Sequence, residues 1–297
     1  MKQNIFPVEK VTQVLTNPEN YRLLERIPEN LDEARGLIGT DIVGDEVEII
    51  ILDLETTGLD AAIDEIIEIG LVKALYSVSK KQITHVAQVG NYYEQPRSPI
   101  TEEITHHTGI TNEMVAGHKF DTSALMQWFD NDPIVIAHNA KFDRPFFEAR
   151  FNLPEMKKLR WACSIADMQW LDFGFESQKL EYLLFKIGYF YNPHRALIDC
   201  LATLVLLCSI DGAFSRLLRN AAARQYTLRA IKAPYEVKDE LSANNYKWNP
   251  ESHLGKHWAK TVYEDEYDEA LSHLRSLYTY NVDKIAVETT TSRERYK

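Results

Sequence analysis

The stretch EIIILDLETTGLD, residues 48–60, ends a run of aliphatic residues with two acids, Asp53 and Glu55. Side chains alternate between the two faces of a strand, so two acids that are two residues apart project on the same side. At that separation their charges repel each other unless a cation lies between them. Such a pair is typical of a site that binds a divalent metal ion.

Two further acids lie where an apolar core is expected. Asp143 falls in the first turn of a helix that follows the apolar run PIVIAH, and Asp199 lies inside the very apolar segment ALIDCLATLVLL. A metal ion is the usual partner of several buried, converging carboxylates. Each acid alone favours a structural interpretation, such as an acid at the start of a helix. Their joint occurrence favours a metal site.

The segments around these acids predict the elements that must hold them. Three β-branched or alternating runs, EVEIIILDLE, DEIIEIGLVKALYSV and KQITHVAQVGNYY, predict three consecutive strands in a meander. Helical and strand-like segments then alternate to about residue 210, and Gly188 ends the helix of QKLEYLLFKIG. This order predicts an α/β fold in which helices cover a sheet.

The composition is that of an ordinary soluble protein. The 297 residues are 45% hydrophobic and 26% charged, and the net charge is -11, which argues against a broad basic face that coats nucleic acid or a membrane. We expect a cytoplasmic protein, because no apolar run approaches the length of a membrane span and the N-terminus lacks a signal-peptide core. The three cysteines have neither metal-ligand nor disulfide spacing and are expected to be reduced core residues.

The pattern divides the chain into three parts. Residues 1–44 are expected to form a polar helical extension with an acidic, turn-rich end. Residues 45–212 contain the α/β pattern, and residues 213–297 are expected to form a small α+β module of strand, helix, two short strands and a final helix.

The segments DLETTG, HNAKFD and HRALID resemble, in order and context, the three motifs of the DEDD 3′-to-5′ exonucleases. That superfamily includes the proofreading subunit of bacterial replicases and has a ribonuclease H-like mixed sheet flanked by helices. The resemblance extends to YYEQPRSPITEEITHHTGITNEMV and covers about residues 46–210. It implies that the metal-binding acids are Asp53, Glu55, Asp143 and Asp199.

The residue that activates water divides the superfamily. His194 stands five positions before Asp199, which places the sequence in the DEDDh branch. The resemblance implies a loop histidine that takes a proton from water, and two Mg²⁺ ions, replaceable by Mn²⁺, that bridge the scissile phosphate. The implied product is a nucleoside 5′-monophosphate.

The resemblance also implies contacts to the terminal nucleotide. The backbone around Thr56 and Thr57 would bind the 3′-hydroxyl end, and Thr108 with Ile110 would lie over the terminal sugar and base. His138 and Asn139 precede the helix of the second motif. Asn139 either binds substrate or only caps that helix. The neighbouring residues His106 and His107 are expected to lie on the surface.

The C-terminal module departs from the acidic average of the chain. Residues 216–260 contain nine Lys and Arg against four acids. Aromatic residues are interleaved with the basic ones, namely Tyr226, Tyr235, Tyr246, Trp248 and Trp258. The combination fits either a grip on a single nucleic-acid strand or a small aromatic core with a solvated basic face.

Three functions are compatible with the sequence. The first is a metal-dependent 3′-to-5′ exonuclease that trims single-stranded or frayed 3′ ends, with DNA slightly favoured over RNA. The second is an RNA-trimming exoribonuclease, because the sugar preference depends on packing at the 2′ position. The third is a module that binds a 3′ end or a nucleotide without turnover and docks a partner through its tail.

Overall fold

The computed structural model describes residues 10–39, 41–252, 254–277 and 284–297. The N-terminal residues 1–9 and residue 40, which belong to the expected extension, lie outside this description. In chain order the strands are β1 (Glu25–Arg26), β2 (Glu46–Thr56), β3 (Ile66–Ser77), β4 (Gln82–Tyr93), β5 (Ile134–Ala137), β6 (Arg160–Cys163), β7 (Tyr189–Phe190), β8 (Gln225–Ile231), β9 (Lys247–Asn249), β10 (His257–Tyr263) and β11 (Ile285–Thr290).

Helices occur between most of these strands along the chain. In chain order they are α1 (Val11–Thr16), α2 (Leu31–Ile38), α3 (Glu102–Thr108), α4 (Asn112–Val115), α5 (Thr122–Met126), α6 (Ala140–Arg150), α7 (Leu180–Ile187), α8 (Ala196–Ser209), α9 (Ala213–Ala222), α10 (Lys238–Ala243) and α11 (Tyr267–Ser276).

The larger sheet has the strand order β4-β3-β2-β5-β6. The first three strands are antiparallel, as the meander predicted, whereas β5 and β6 run parallel to β2. Helices α7, α8 and α9 contribute to the core on one face, and α5 and α6 contribute to the core on the other. Burial on both faces explains the unbroken aliphatic run in β2, because inner and outer positions are both dry. The predicted α/β sheet flanked by helices is confirmed.

Two predictions about local structure were wrong. The extension at residues 1–44 was expected to be helical, but Glu25 and Arg26 form β1 and pair in parallel with Tyr189 and Phe190 of β7. The acidic segment that follows was expected to be turn-rich, but it contains α2. Asn30 caps that helix by accepting a hydrogen bond from the backbone N–H of Glu33. Asn followed three residues later by Glu is a helix-start signal that outweighs the acidic composition.

The C-terminal module has the element order β8-α10-β9-β10-α11-β11, and its antiparallel sheet has the order β11-β8-β10-β9. The strand β11 and the helix α9 add to the elements that the sequence predicted. This is a split β-α-β arrangement of six elements. Its own apolar core is built around Leu228, Leu241 and Leu274.

Most aromatic residues of this module serve that core. Tyr246 is buried, Trp258 packs against the core, and the Tyr226 ring stacks on the Tyr267 ring with 4.1 Å between centroids. Trp248 and Tyr235 are the exposed members of the set, at 49% and 74% exposure. The aromatic core therefore accounts for three of the five aromatic residues that suggested a grip on nucleic acid.

The segment after β11 returns to the larger sheet. Edge strand β6 donates the backbone N–H of Trp161 to the carbonyl of Ser292. Arg295 forms a buried ion pair with Asp167 at 3.1 Å, and the hydroxyl of Tyr263 in β10 donates to the same Asp167 oxygen. Helix α9 also packs into the core of the larger sheet. The division at residue 212 therefore stays a prediction, and the two parts share a buried contact.

Within the described ranges, no single helix is long and apolar enough to cross a membrane. The helices α8 and α9 together reach that length and composition, but they meet at a bend of 105°.

Candidate active site

Strands β2 and β3 set the positions of the first two acids. In the antiparallel register Asp53 lies opposite Gly70, and Glu55 lies opposite Glu68. Residues that pair across a sheet project on the same face, so these four positions form one small patch. Helix α8 packs on this patch at Gly70, where a Cβ atom would overlap the backbone of Ala196. Glycine is thus needed for the helix to approach the acids.

The close approach of α8 brings Asp199 to Asp53 and Glu55. One carboxylate oxygen from each of the three residues lies within 4.8 Å of the others. The backbone N–H of Arg195 donates to Asp199 Oδ2 at 3.0 Å, and the hydroxyl of Tyr191 donates to Oδ1 at 3.0 Å. These two bonds fix the orientation of the Asp199 carboxylate from the side away from the strand.

Asp143 reaches the same region from the first turn of α6. Its side chain is buried beside the backbone of Leu54, between the two acids of β2. Its Oδ1 atom is buried and has no hydrogen-bond partner within the described part of the chain. A buried carboxylate oxygen without a donor is costly, and a bound cation removes that cost.

Burial raises the pKa values of all four acids, and neighbouring acids raise those of Asp53, Glu55 and Asp143 further. Burial, followed by the charge of Asp199, raises the pKa of Glu55 to about 8. Burial likewise raises the pKa of Asp143 to about 8 and that of Asp199 to about 6. The pKa of Asp53 is raised well above its usual range by burial and by the other three acids. The site therefore disfavours its own full ionisation, and a divalent cation would reverse this.

The donor set fits a hard divalent metal. All the atoms that converge are carboxylate oxygens, which suit Mg²⁺ or Mn²⁺ better than a soft metal. Asp53, Glu55 and Asp199 offer the oxygens that lie together, and Asp143 offers an oxygen without a donor in the described ranges. Divalent metal use is thus supported by the geometry of this cluster.

His194 lies on the loop that leads into α8, with a backbone φ of 68°. That left-handed conformation is uncommon for a residue with a side chain and turns the chain sharply before the helix. The ring of His194 packs against the ring of His107, with 3.9 Å between centroids and 36° between the ring planes. His107 was expected to lie on the surface. It is exposed but contacts His194, and burial together with the neighbouring His194 lowers the pKa of His107.

The residues proposed around the terminal nucleotide differ in availability. The backbone N–H of Thr57 donates to the carbonyl of Glu65, so that group is occupied in this conformation. The hydroxyl of Thr56 donates to the carbonyl of Gly58. These bonds shape the turn after β2, and the substrate contacts of Thr56 and Thr57 stay predictions.

Thr108 and Ile110 are buried, which does not agree with a direct contact to substrate. Ile110 is 0% exposed and packs in a small core with Ile67 and Ile100. The hydroxyl of Thr108 donates to the carbonyl of Ile104 and accepts from the N–H of Ile110. In this conformation both residues build the turn after α3, and their contact with a sugar or base stays a prediction.

Both ring nitrogens of His138 contact other groups of the protein. Its Nδ1 atom is 2.7 Å from the hydroxyl of Ser164, and its Nε2 atom is 2.9 Å from the carbonyl of Gln178. Burial lowers the pKa of His138 to about 4, so the ring is neutral at ordinary pH. Both nitrogens are engaged, which does not support a substrate contact through this ring.

Asn139 is exposed at the start of α6, and its side chain makes no capping bond to the described helix. The alternative that Asn139 only caps α6 is therefore not what the structure shows. Its predicted contact with substrate stays a prediction.

Two residues near the acids were missed by the sequence analysis. Tyr191 holds Asp199, and Glu68 is a fully buried acid on β3. The signal for Glu68 was present, because it is an acid inside the apolar run DEIIEIG, the same kind of signal that identified Asp199. No comparable signal marked Tyr191.

Comparisons with known proteins agree with this geometry. The RNase_T exonuclease family model matches residues 50–207. The chain is 34% identical over 162 residues to the DNA polymerase III PolC-type of Thermotoga maritima, covering 52% of this chain and 11% of the relative. It is 29% identical over 211 residues to the DNA polymerase III PolC-type of Bacillus subtilis, covering 68% of this chain and 13% of the relative. The chain thus corresponds to a small part of these polymerases.

Among solved structures, exonuclease X in complex with 5′ overhanging duplex DNA is similar at 25% identity, with a TM-score of 0.44. The match covers 58% of this chain and 98% of that protein. The family model spans more than half of the chain and contains all four acids and His194. The resemblance to DEDDh exonucleases is confirmed, and the chain belongs to the RNase_T exonuclease family of the ribonuclease H-like superfamily.

Proposed function

We propose that this protein is a 3′-to-5′ exonuclease that releases nucleoside 5′-monophosphates from nucleic-acid 3′ ends. Membership of the family supports a nuclease that acts on nucleic acid. The observation that carries the proposal is the convergence of Asp53, Glu55 and Asp199, together with the buried Asp143 oxygen that has no donor among the described residues. A purely structural site would have balanced these charges with internal partners.

The four acids would hold two divalent ions, Mg²⁺ or Mn²⁺, at the scissile phosphate. Such ions supply Lewis-acid stabilisation of the developing charge and make water more acidic. The protein's own contribution is orientation. Tyr191 and Arg195 fix the carboxylate of Asp199 through hydrogen bonds.

His194 is proposed as the general base. An imidazole titrates near neutral pH and can accept the proton of the attacking water. His194 lies five residues before Asp199, next to the start of α8, so the base and this acid belong to the same segment of the chain. In the present conformation its ring packs against the ring of His107.

The proposed substrate is a single-stranded or frayed 3′ end, with DNA slightly favoured. The relatives named above are DNA polymerases, which supports DNA without excluding RNA. A basic stretch at residues 216–260 would provide contacts to phosphates further along the strand.

The test uses matched DNA and RNA oligonucleotides, each labelled at the 5′ end in one sample and at the 3′ end in another. Removal from the 3′ end gives a descending ladder from the 5′ label and an early labelled mononucleotide from the 3′ label. We expect this pattern with Mg²⁺ or Mn²⁺ and its loss in EDTA. Binding of the oligonucleotide without cleavage under every metal condition would instead favour the non-catalytic binding module.

A further inference from the structure

The fully buried acid Glu68 stands out from the four proposed metal ligands. It lies directly opposite Glu55 in the register of β2 and β3. Like charges in that arrangement destabilise a sheet unless each has its own partner. Glu68 is 0% exposed, so water does not supply that partner.

The carboxylate of Glu68 is saturated by donors from the protein. Arg195 Nη2 donates to Oε1 at 2.9 Å, and the backbone N–H of Ala196 donates to Oε2 at 2.9 Å. Asn91 Nδ2 also donates to Oε1, at 2.8 Å. Both oxygens are occupied, which separates Glu68 from Glu55 and from a role in binding metal.

These bonds hold the residues on either side of one peptide at the start of α8. Arg195 directly follows His194, and Ala196 is the first residue of the helix. Arg195 Nη2 also donates to the hydroxyl of Tyr93 on β4, so the guanidinium group is held from two strands. The adjoining left-handed backbone of His194 therefore has a fixed anchor on its C-terminal side.

We propose that Glu68 is a positioning residue that fixes the imidazole of His194 by anchoring Arg195 and the first turn of α8. The inference rests on the proposed role of His194 as the general base. Loss of the anchor lets the turn at His194 move, and a displacement of about 1 Å at a reacting group costs on the order of 100-fold in rate. Substrate affinity is set elsewhere and should be retained.

The experiment is a double-mutant cycle in the full-length protein, with Mg²⁺ and a labelled single-stranded DNA oligonucleotide. Glu68→Gln preserves volume but replaces one acceptor with an amide donor that faces Arg195 or Ala196. We expect kcat to fall roughly 10- to 100-fold with KM within about twofold of wild type. In the His194→Ala background, Glu68→Gln should change kcat by less than about threefold, because two residues that act as one unit are not additive.

Glu48→Gln is the matched control, since Glu48 is an acid on the same hairpin that pairs with Lys73 at 3.6 Å. It should leave kcat unchanged. If thermal melting shows that Glu68→Gln does not fold, Tyr93→Phe replaces it in the cycle, because it removes only the hydroxyl, which accepts from Arg195 and from Asn91. The expected loss of kcat is then about two- to fivefold, again absent in the His194→Ala background.

If the factors by which Glu68→Gln and His194→Ala lower kcat multiply in the double variant, the inference is overturned. Glu68 would then act through the fold or through the acids. A wild-type rate in the variant at Glu68 or, where that variant does not fold, in Tyr93→Phe would overturn it as well. Failure of the proposed function gives a different result, namely a wild-type rate for His194→Ala or an inactive wild-type protein.

Discussion

Asp143 and Arg144 are adjacent residues of α6, and both are buried, but their charges are handled in opposite ways. Asp143 faces three other acids and has an oxygen without a donor in the described part of the chain. Arg144 is 0% exposed and donates to Glu148 and to the backbone carbonyls of Arg293 and Arg295. One peptide bond therefore separates the acidic site from the junction with the C-terminal segment.

At the junction with the C-terminal segment, buried charges are paired with opposite charges, as in Arg295 with Asp167 and Arg144 with Glu148. Asp167 accepts hydrogen bonds from Arg295, from Tyr263 and from the backbone N–H of Cys163. The acidic site concentrates negative charge instead, and its acids raise one another's pKa values. A buried charge that is paired with an opposite charge is a structural element, whereas a buried group of like charges is typical of a site that binds a ligand. The comparison predicts opposite consequences for substitutions in the two regions.

The largest expected effect is on activity at the acidic site. Asp53→Asn should lower exonuclease activity by roughly 1000-fold or more, because the amide weakens metal binding and misplaces the phosphate. The same substitution should raise the thermal midpoint of the metal-free protein, because it removes charge repulsion that opposes folding. Activity assays and melting in EDTA measure the two quantities on one preparation.

Asp172→Asn is the control, since Asp172 is a surface acid that pairs with Arg216. It should change neither quantity. A fall in the metal-free midpoint of Asp53→Asn would show that the acids stabilise the fold, and the contrast with the junction would not hold.

The next effect concerns stability at the junction. Arg295→Ala should lower the free energy of unfolding by about 3–5 kcal/mol, because it leaves Asp167 buried without its charged partner. Urea unfolding measures this change. Because Arg295 does not line the acidic site, kcat per folded molecule should stay close to wild type at low temperature. An unchanged unfolding energy would mean that the C-terminal segment is not held as this structure shows.

Metal and pH separate the two regions further. An acid whose pKa is higher in the folded state than in the unfolded state stabilises the protein fully at a pH below its unfolded-state pKa of about 4. This contribution is lost as the pH rises through the folded-state pKa. For Asp199 that value is about 6, and for Glu55 and Asp143 it is about 8. The thermal midpoint of the metal-free protein should therefore decrease as the pH is raised from 5 to 8.

Mg²⁺ should counter this loss. Its ligands must be deprotonated, so the rise in midpoint on adding Mg²⁺ should be larger at pH 8 than at pH 5.5. Melting curves at both pH values, with and without Mg²⁺, test this. In Glu55→Gln the dependence on pH and on metal should both become shallower. A larger Mg²⁺ effect at pH 5.5 would contradict the assignment of these acids as ligands.

The sequence was sufficient for one of the two regions. Acids in an apolar strand and an apolar helix are local signals, so Asp53 and Asp199 could be identified from their neighbours alone. The junction joins Asp167 to Arg295, which are 128 positions apart, and no local pattern records such a pair. For the same reason the burial of Thr108 and Ile110 was not predicted, since the packing of α3 on β3 and β4 decides it.

The smallest expected effect is on the binding of a nucleic-acid strand by an exposed charge of the C-terminal module, outside both buried regions. Trp248 is half exposed on β9, its ring lies 5.5 Å from that of Trp258, and exposed Lys247 precedes it. Most other aromatic residues of the module are in its core, so a grip on nucleic acid through this surface would depend on few groups.

Each phosphate contact that is lost should reduce the slope of log K against log salt by about 0.7 for a single strand. We therefore expect Lys247→Gln to bind a long single strand about two- to threefold more weakly, with a slope shallower by roughly that amount. Cleavage of a short oligonucleotide should be unaffected, because its contacts lie at the acids. Fluorescence anisotropy at several salt concentrations decides between the alternatives. If affinity and slope match those of wild type, this surface does not contact the strand, and the small sheet contributes through its buried junction with Asp167.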